Sequence, residues 1–250
     1  MHLETTLTQL REMRLSVMAE ALPRRLEHGD AHGLSGEEFA ALLIEDEYCA
    51  RQHRKLTRLI AQANFKPEGA CLENVRYAAT RGVEKRDLMA FSTASWIQGA
   101  HNLIFTGATG TGKTYLAEAL GLQACILGYS VKKVRYKTLF EELNAARGTG
   151  QFLKAVKRLQ LTRVLILDDF LMTPTSMDDL ANLLEIIEER SQLGPLILTT
   201  QYPPAAWHQR MPDPTIADAI CDRVIHTSTL FVLRGDSQRK REAASEIPTE

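Results

Sequence analysis

NLIFTGATGTGKTYLAEAL, residues 102 to 120, reads as strand, glycine-rich loop and helix. The β-formers Leu103, Ile104 and Phe105 lead into the loop, and apolar residues return at Leu116, Ala117 and Leu120 with helical spacing. Glycines at 107, 110 and 112 let the backbone take positive φ and let amides point inward with no Cβ in the way. Those amides, with the positive end of a helix opening at Lys113, form a cradle for phosphate oxygens. Lys113 can reach the β- and γ-phosphates as a point charge, and the Thr114 hydroxyl is placed for Mg²⁺. An ordinary glycine turn could also join strand to helix, but every fixed position of the P-loop pattern is filled. The expected nucleotide-binding set is Gly107, Ala108, Thr109, Gly110, Thr111, Gly112, Lys113, Thr114 and the adjoining Tyr115, with ATP and Mg²⁺ as ligands.

Working outward, Arg163-Val164-Leu165-Ile166-Leu167-Asp168-Asp169 is an uninterrupted apolar run ending in two carboxylates. Such a run suits a central parallel strand covered on both faces, and its C-terminal end is where α/β sheets bind ligands. Asp168 is expected to hold Mg²⁺, and Asp169 to orient and polarise an attacking water. A helix cap after a core strand is the plainer reading. It leaves unexplained a spacing from Lys113 that fits one intervening strand with its crossover helices. Leu196 to Gln201 reads as a further strand with a polar end. If it lies between the other two, Thr200 or Gln201 meets the γ-phosphate and senses nucleotide or positions water.

The 250 residues are 44% hydrophobic and 24% charged, the profile of a globular chain with a sizeable core. The start of the chain has no signal-like pattern, and nowhere do 18 apolar residues run together, so a cytoplasmic protein without a membrane span is expected. Cys49, Cys71, Cys125 and Cys221 are scattered singly, which argues against zinc or a disulfide framework and for reduced, mostly buried thiols. Net charge is −1, yet residues 131–163 carry nine Lys or Arg against two Glu, whereas 164–233 carry three Arg against ten acids. A chain sorted this way can present a basic face to nucleic acid, although solvated helix faces could also cluster so. Lys132, Lys133, Arg147, Lys154, Lys157 and Arg158 are the candidates there.

Along the N-terminal part, Leu3, Leu7, Leu10, Met13, Val17 and Ala21 predict one amphipathic helix stopping at Pro23. Ser35 and Glu38 have the form of a capping box, opening a helix that extends to about residue 62. Its first half is acidic and its second carries Arg51, Arg54, Lys55 and Arg58. That polarity either complements the helix dipole or lays a basic end against phosphates. Pro67 and Gly69 mark a linker. The expected division is a helical domain at 1–69 for DNA or partner binding, a P-loop domain at 70–241 and a polar tail at 242–250. In the P-loop domain Gly128 should stop the first helix and residues 131–136 form a strand. Thr138 with Glu141 should cap the next helix, and 152–161 should form a short basic helix. Ser176 and Thr215 should open two more helices, and Phe231–Leu233 should be the fifth strand. The fold class is α/β: a five-stranded parallel sheet flanked by helices, behind a small all-α domain.

ANFKPEGACLENV (63–75), GATGTGKTYLAEALG (107–121), LILDDF (165–170), LILTTQYPPAAWHQ (196–209), DPTIADAICDRVIH (213–226) and GDSQR (235–239) together resemble the IstB-type ATP-binding proteins of bacterial insertion sequences. These are relatives of the DnaC helicase loaders within the AAA+ ATPases. The resemblance implies an AAA+ core in which Arg223 matches the arginine that reaches the γ-phosphate of a neighbouring subunit. Arg239 matches the arginine that contacts nucleotide within its own subunit. It further implies a homo-oligomer with ATPase sites between protomers. That oligomer binds duplex DNA with little sequence preference, bends it and presents it to a cognate transposase, and ATP hydrolysis drives release. Two departures stand out. Asp169 occupies a position that is Glu in many AAA+ proteins, which points to slow hydrolysis, and Thr200-Gln201 replaces a frequent Ser-Asn. A helicase loader whose N-terminal helices grip a protein remains the alternative. A metabolic P-loop kinase would need a basic lid and an acceptor pocket that the sequence lacks, and would give Arg223 no role.

Overall fold

The computed structural model describes residues 3–27, 33–66, 69–75, 77 and 81–238. Arg239, the whole of the expected tail and Pro67 lie outside that set. The chain forms two compact units, residues 1–58 and 59–250.

In the first unit the expected single helix is two: α1 (Leu3–Glu12) and α2 (Ser16–Glu27). The break falls at Arg14, which takes φ +60. The Leu15 amide donates to the Leu10 carbonyl at 2.8 Å and the Arg14 amide to that of Arg11 at 2.9 Å, the paired bonds of a left-handed helix terminus. Leu15 then packs on the small core of Leu7, Leu10 and Ala19. Pro23 lies inside α2 and does not end it. α3 (Gly36–Ala63) opens with the expected capping box: Ser35 Oγ accepts from the Glu38 amide, and Glu38 Oε2 from the Ser35 amide. Glu47 of α3 is 4% exposed and accepts the Val17 and Met18 amides at the start of α2, at 2.9 and 3.2 Å. Its other oxygen accepts from Arg51 at 2.8 Å and Arg54 at 3.3 Å. Burial would raise the Glu47 pKa, but these hydrogen bonds outweigh it and hold the carboxyl below its ordinary value. The packing divides within α3, after Arg58, and not at the 65–69 segment.

The second unit is an α/β layer structure. Short helices α4 (Lys85–Met89) and α5 (Ser95–Gln98) precede β1 (Asn102–Gly107) and α6 (Lys113–Ile126). Gly128 ends α6 as expected, at φ +87. β2 (Val131–Arg135) runs directly into α7 (Tyr136–Gly148), so that helix starts before Thr138 and has no side-chain cap. α8 (Phe152–Leu161), β3 (Val164–Asp168), α9 (Met177–Arg190) and β4 (Leu196–Thr200) follow. α10 (Pro214–Ile225) is capped by Asp213, whose side chain accepts from the Ile216 amide at 2.8 Å. Thr215 therefore lies inside the helix, behind Pro214 at its first position. β5 (Ser228–Leu233) is longer than its three apolar residues suggested.

The sheet order is β2-β3-β4-β1-β5, with every pairing parallel. β4 thus lies between β1 and β3, the condition under which its tip reaches the loop after β1. β3 and β4 are buried at every position, as an apolar run covered on both faces requires. Two buried polar side chains stitch the layers. Asn102 accepts from the Leu196 amide at 2.8 Å and donates to the Val224 carbonyl at 3.2 Å. Arg190, 1% exposed, donates to carbonyls of Leu159, Gln160, Thr162, Arg163 and Pro195. Burial pulls its pKa down to about 10, so it stays charged at neutral pH. Of the four cysteines only Cys125 is buried, and Cys49 is exposed, so the expectation of mostly buried thiols does not hold.

Candidate nucleotide site

The loop between β1 and α6 has Gly107, Gly110 and Gly112 at φ +149, +84 and +94. A Cβ on Gly110 would overlap the Ser237 side chain, and one on Gly112 would lie 2.8 Å from the Arg81 guanidinium. Backbone conformation and close approach therefore both demand glycine. Arg81 donates to the Thr111 carbonyl at 2.9 Å, bracing the loop from outside. Lys113 is nearly buried, and its ammonium donates to the Gly107 and Ala108 carbonyls at 2.8 Å each. Tyr115 is exposed, with its hydroxyl 3.5 Å from the Cys71 carbonyl.

The strand tips converge on this loop. Thr114 Oγ1 donates to Asp168 Oδ1 at 2.8 Å, joining the first turn of α6 to the end of β3. Asp168 is 3% exposed. The same oxygen accepts from Thr199 Oγ1 at 2.5 Å. Thr199 in turn accepts from the Asp169 amide at 3.1 Å. Asp169 itself is exposed and sits at φ +58, a conformation that Asp tolerates better than most residues. Gln201 Nε2 donates to Thr109 Oγ1 at 2.8 Å, so the end of β4 reaches the loop.

Thr200 does not face this centre. It is fully buried, donates to the Phe170 carbonyl at 2.9 Å and accepts from the Tyr202 amide at 3.1 Å. The register that pairs Leu167 with Leu198 brings Thr199, not Thr200, level with Asp168. Lys133 is also misplaced by a reading that puts it on a basic surface. It is 6% exposed and pairs with Glu118 of α6, with its ammonium 3.5 Å from Asp168 Oδ2. A cation so enclosed cannot contact nucleic acid. The sequence does hold a signal for it: Glu118 stands among the buried residues Leu116, Ala117 and Leu120, where only a partner cation makes a carboxylate tolerable.

The remaining candidates are scattered. Arg223 of α10 is about one third exposed, bonds Glu188 at 2.7 Å and donates to the Ala219 carbonyl at 3.0 Å. Arg239 lies outside the described residues. Lys154, Lys157 and Arg158 are exposed on α8, and the exposed Arg147 stands 4.4 Å over the Phe152 ring. Lys132 is half-buried. Arg51 and Arg54 are engaged by Glu47, and Lys55 and Arg58 are exposed.

A glycine loop with positive φ at Gly107, Gly110 and Gly112, followed by a hydroxyl and a carboxylate 2.8 Å apart, offers hard oxygens that suit Mg²⁺ beside a nucleotide. On this parallel five-stranded sheet, the arrangement defines a P-loop protein of the AAA+ class. The sequence profile of the IstB-like ATP-binding proteins matches residues 8–246, and the chain belongs to that family. An insertion sequence ATP-binding protein of Sinorhizobium fredii, y4pL, is 36% identical over 95% of this chain and 96% of its own length. The ATP-binding protein of insertion sequence IS1162 from Pseudomonas fluorescens is 39% identical over 79% of this chain and 86% of its own. Among solved structures, the DnaC helicase loader matches with a TM-score of 0.59 and 22% identity over 66% of this chain and 97% of its own. DnaI matches with a TM-score of 0.60 and 19% identity over 73% and 100%. These two structures share the fold. No helix among the described residues is long and apolar enough to cross a membrane.

Proposed function

We propose that this chain is an ATP-hydrolysing helper of transposition that assembles on duplex DNA, bends it and presents it to a transposase. The observation that carries the reading is the Thr114–Asp168 hydrogen bond beside the phosphate loop, in a chain whose relatives are named for insertion sequences. The loop amides and Lys113 hold phosphates, and Thr114 and Asp168 hold Mg²⁺, which supplies charge neutralisation at the phosphoryl group. Asp169 orients the attacking water, and Gln201 joins the end of β4 to the loop. Thr199 donates to the same Asp168 oxygen as Thr114 and steadies the carboxylate. Arg223 is the cation offered to the neighbouring subunit's nucleotide, and Arg239 serves its own. Because one protomer then completes another's site, ATP favours assembly and hydrolysis loosens it.

The N-terminal helices and the exposed cations of the P-loop unit share the DNA. Lys154, Lys157 and Arg158, with Lys132 and Arg147 nearby in sequence, contact phosphates, which makes binding sequence-tolerant and salt-sensitive. On α3, Lys55 and Arg58 are better placed for this than Arg51 and Arg54, whose charge is partly met by Glu47. A row of such subunits along a duplex supplies the attraction that makes bending favourable.

The test is fluorescence anisotropy of a labelled random-sequence duplex, with ATP, with ADP and without nucleotide, at two salt concentrations. Binding that requires ATP and falls steeply with salt supports the reading. Duplex DNA ignored under all conditions, with ATP still bound, would overturn the DNA-helper reading and direct attention to a protein partner for the N-terminal helices.

A further inference from the structure

The two oxygens of Asp168 have different neighbours. Oδ1 accepts the hydroxyls of Thr114 and Thr199, while Oδ2 faces the Lys133 ammonium at 3.5 Å. Lys133 sits mid-strand on β2, level with Ile166 of β3, and is 6% exposed. The same ammonium pairs with Glu118, 3% exposed, on the helix that follows the phosphate loop. Two buried carboxylates thus share one cation, one from α6 and one from the tip of β3. Stability gives no reason for it, since a buried ion pair replaced by apolar residues of similar volume is often no less stable. Its position against Asp168 does.

We propose that Lys133 is a positioning residue for the divalent cation that accompanies ATP. It anchors Oδ2 of Asp168, so that Oδ1 is presented beside the Thr114 hydroxyl, while Glu118 balances its charge and holds the ammonium in place. A carboxylate engaged through one oxygen alone can rotate, whereas one anchored at both is fixed. Outer partners of metal-binding carboxylates typically change metal affinity about 10- to 100-fold. The inference rests on Thr114 and Asp168 being the Mg²⁺ ligands.

The test is the affinity of the full chain for a fluorescent ATP analogue, measured in EDTA and across a Mg²⁺ titration. Glu118→Gln keeps the ammonium and keeps an acceptor for the Lys66 amide, which lies 3.4 Å from Glu118 Oε2. It loosens the ammonium without removing it, so its Mg²⁺ midpoint is expected to rise by less than that of a variant lacking Lys133. Lys133→Met combined with Glu118→Gln removes both charges without stranding either. Its affinity in EDTA is expected to match wild type, while the Mg²⁺ midpoint rises roughly tenfold. Should that pair destabilise the fold in thermal melts, Lys133→Leu with Glu118→Leu gives the same reading from an apolar core. A folded charge-free variant with an unchanged or lower Mg²⁺ midpoint overturns the positioning role. A wild-type protein whose nucleotide affinity ignores Mg²⁺ overturns the assignment of Asp168 instead.

Discussion

Asp168 and Glu47 are both carboxylates less than 5% exposed, both face cations, and they end up doing different work. Glu47 is closed on every side by N–H donors of its own chain: two amides at the start of α2 and two arginines. An N–H group can only donate, so this shell has no second use. Asp168 is met on Oδ1 by two hydroxyls and on Oδ2 by an ammonium shared with Glu118. A hydroxyl can surrender its proton-donating role and offer its oxygen to a metal ion. Donor chemistry, more than burial or charge, separates a carboxylate that holds a helix from one that can hold a ligand.

The largest effect expected to sharpen this contrast is on the site side. Lys113→Ala should weaken ATP binding on the order of 10- to 100-fold, the range for a hydrogen-bonded charge, and abolish nucleotide-dependent assembly. Equilibrium binding and sedimentation with ATP read the two effects, and normal ATP-driven assembly of the variant would break the account. Next, Glu47→Gln should leave ATP affinity unchanged but destabilise the N-terminal unit. The loss is about 2 kcal/mol, less than for a fully buried pair because both arginines are half-exposed. Thermal or urea unfolding of the full chain measures it, and a change in nucleotide affinity would dissolve the distinction.

A pH series probes the same residue more gently. The Glu47 carboxyl is held below its ordinary value of 4.5 in the folded unit. Its contribution is therefore complete above about pH 4.5 and is lost as pH falls through the lower folded value. Wild type should lose helical stability over that acid range more steeply than Glu47→Gln; parallel curves would contradict it. The smallest effect is Arg54→Ala. Its partner bond is 3.3 Å and its side chain 56% exposed, so less than about 1 kcal/mol is expected in the same unfolding assay.

How much of this could be read beforehand follows from what each residue's role depends on. The phosphate loop and β3 were legible because their signals are local: glycines at positions of positive φ, and an apolar run long enough for a doubly covered strand. Ser35 and Ser176 announced their helices for the same reason, each bonding an amide three residues on. Arg14 gave no such sign, since a left-handed helix end is usually glycine and here is imposed by Leu15 packing into the α1–α2 core. The start of α7 was hidden because Tyr136 continues from β2 without a cap. Thr199 could not be assigned from sequence at all, and Glu118 in its buried helix calls for a partner cation without naming Lys133. The roles of Thr199 and Lys133 depend on register: which residue of β4 lies level with Asp168, and which of β2 faces α6. A strand's apolar pattern shows that it is buried, but not which of its polar residues meets the site.

The measurement that bears most directly on the account is the affinity of a fluorescent ATP analogue for wild type and Asp168→Asn, each in Mg²⁺ and in EDTA. Wild type should bind more tightly in Mg²⁺ than in EDTA, and Asp168→Asn should lose that difference while staying folded. Equal wild-type affinity in the two conditions, or a full Mg²⁺ effect in Asp168→Asn, would contradict the assignment of Asp168 as the carboxylate around which this site is built.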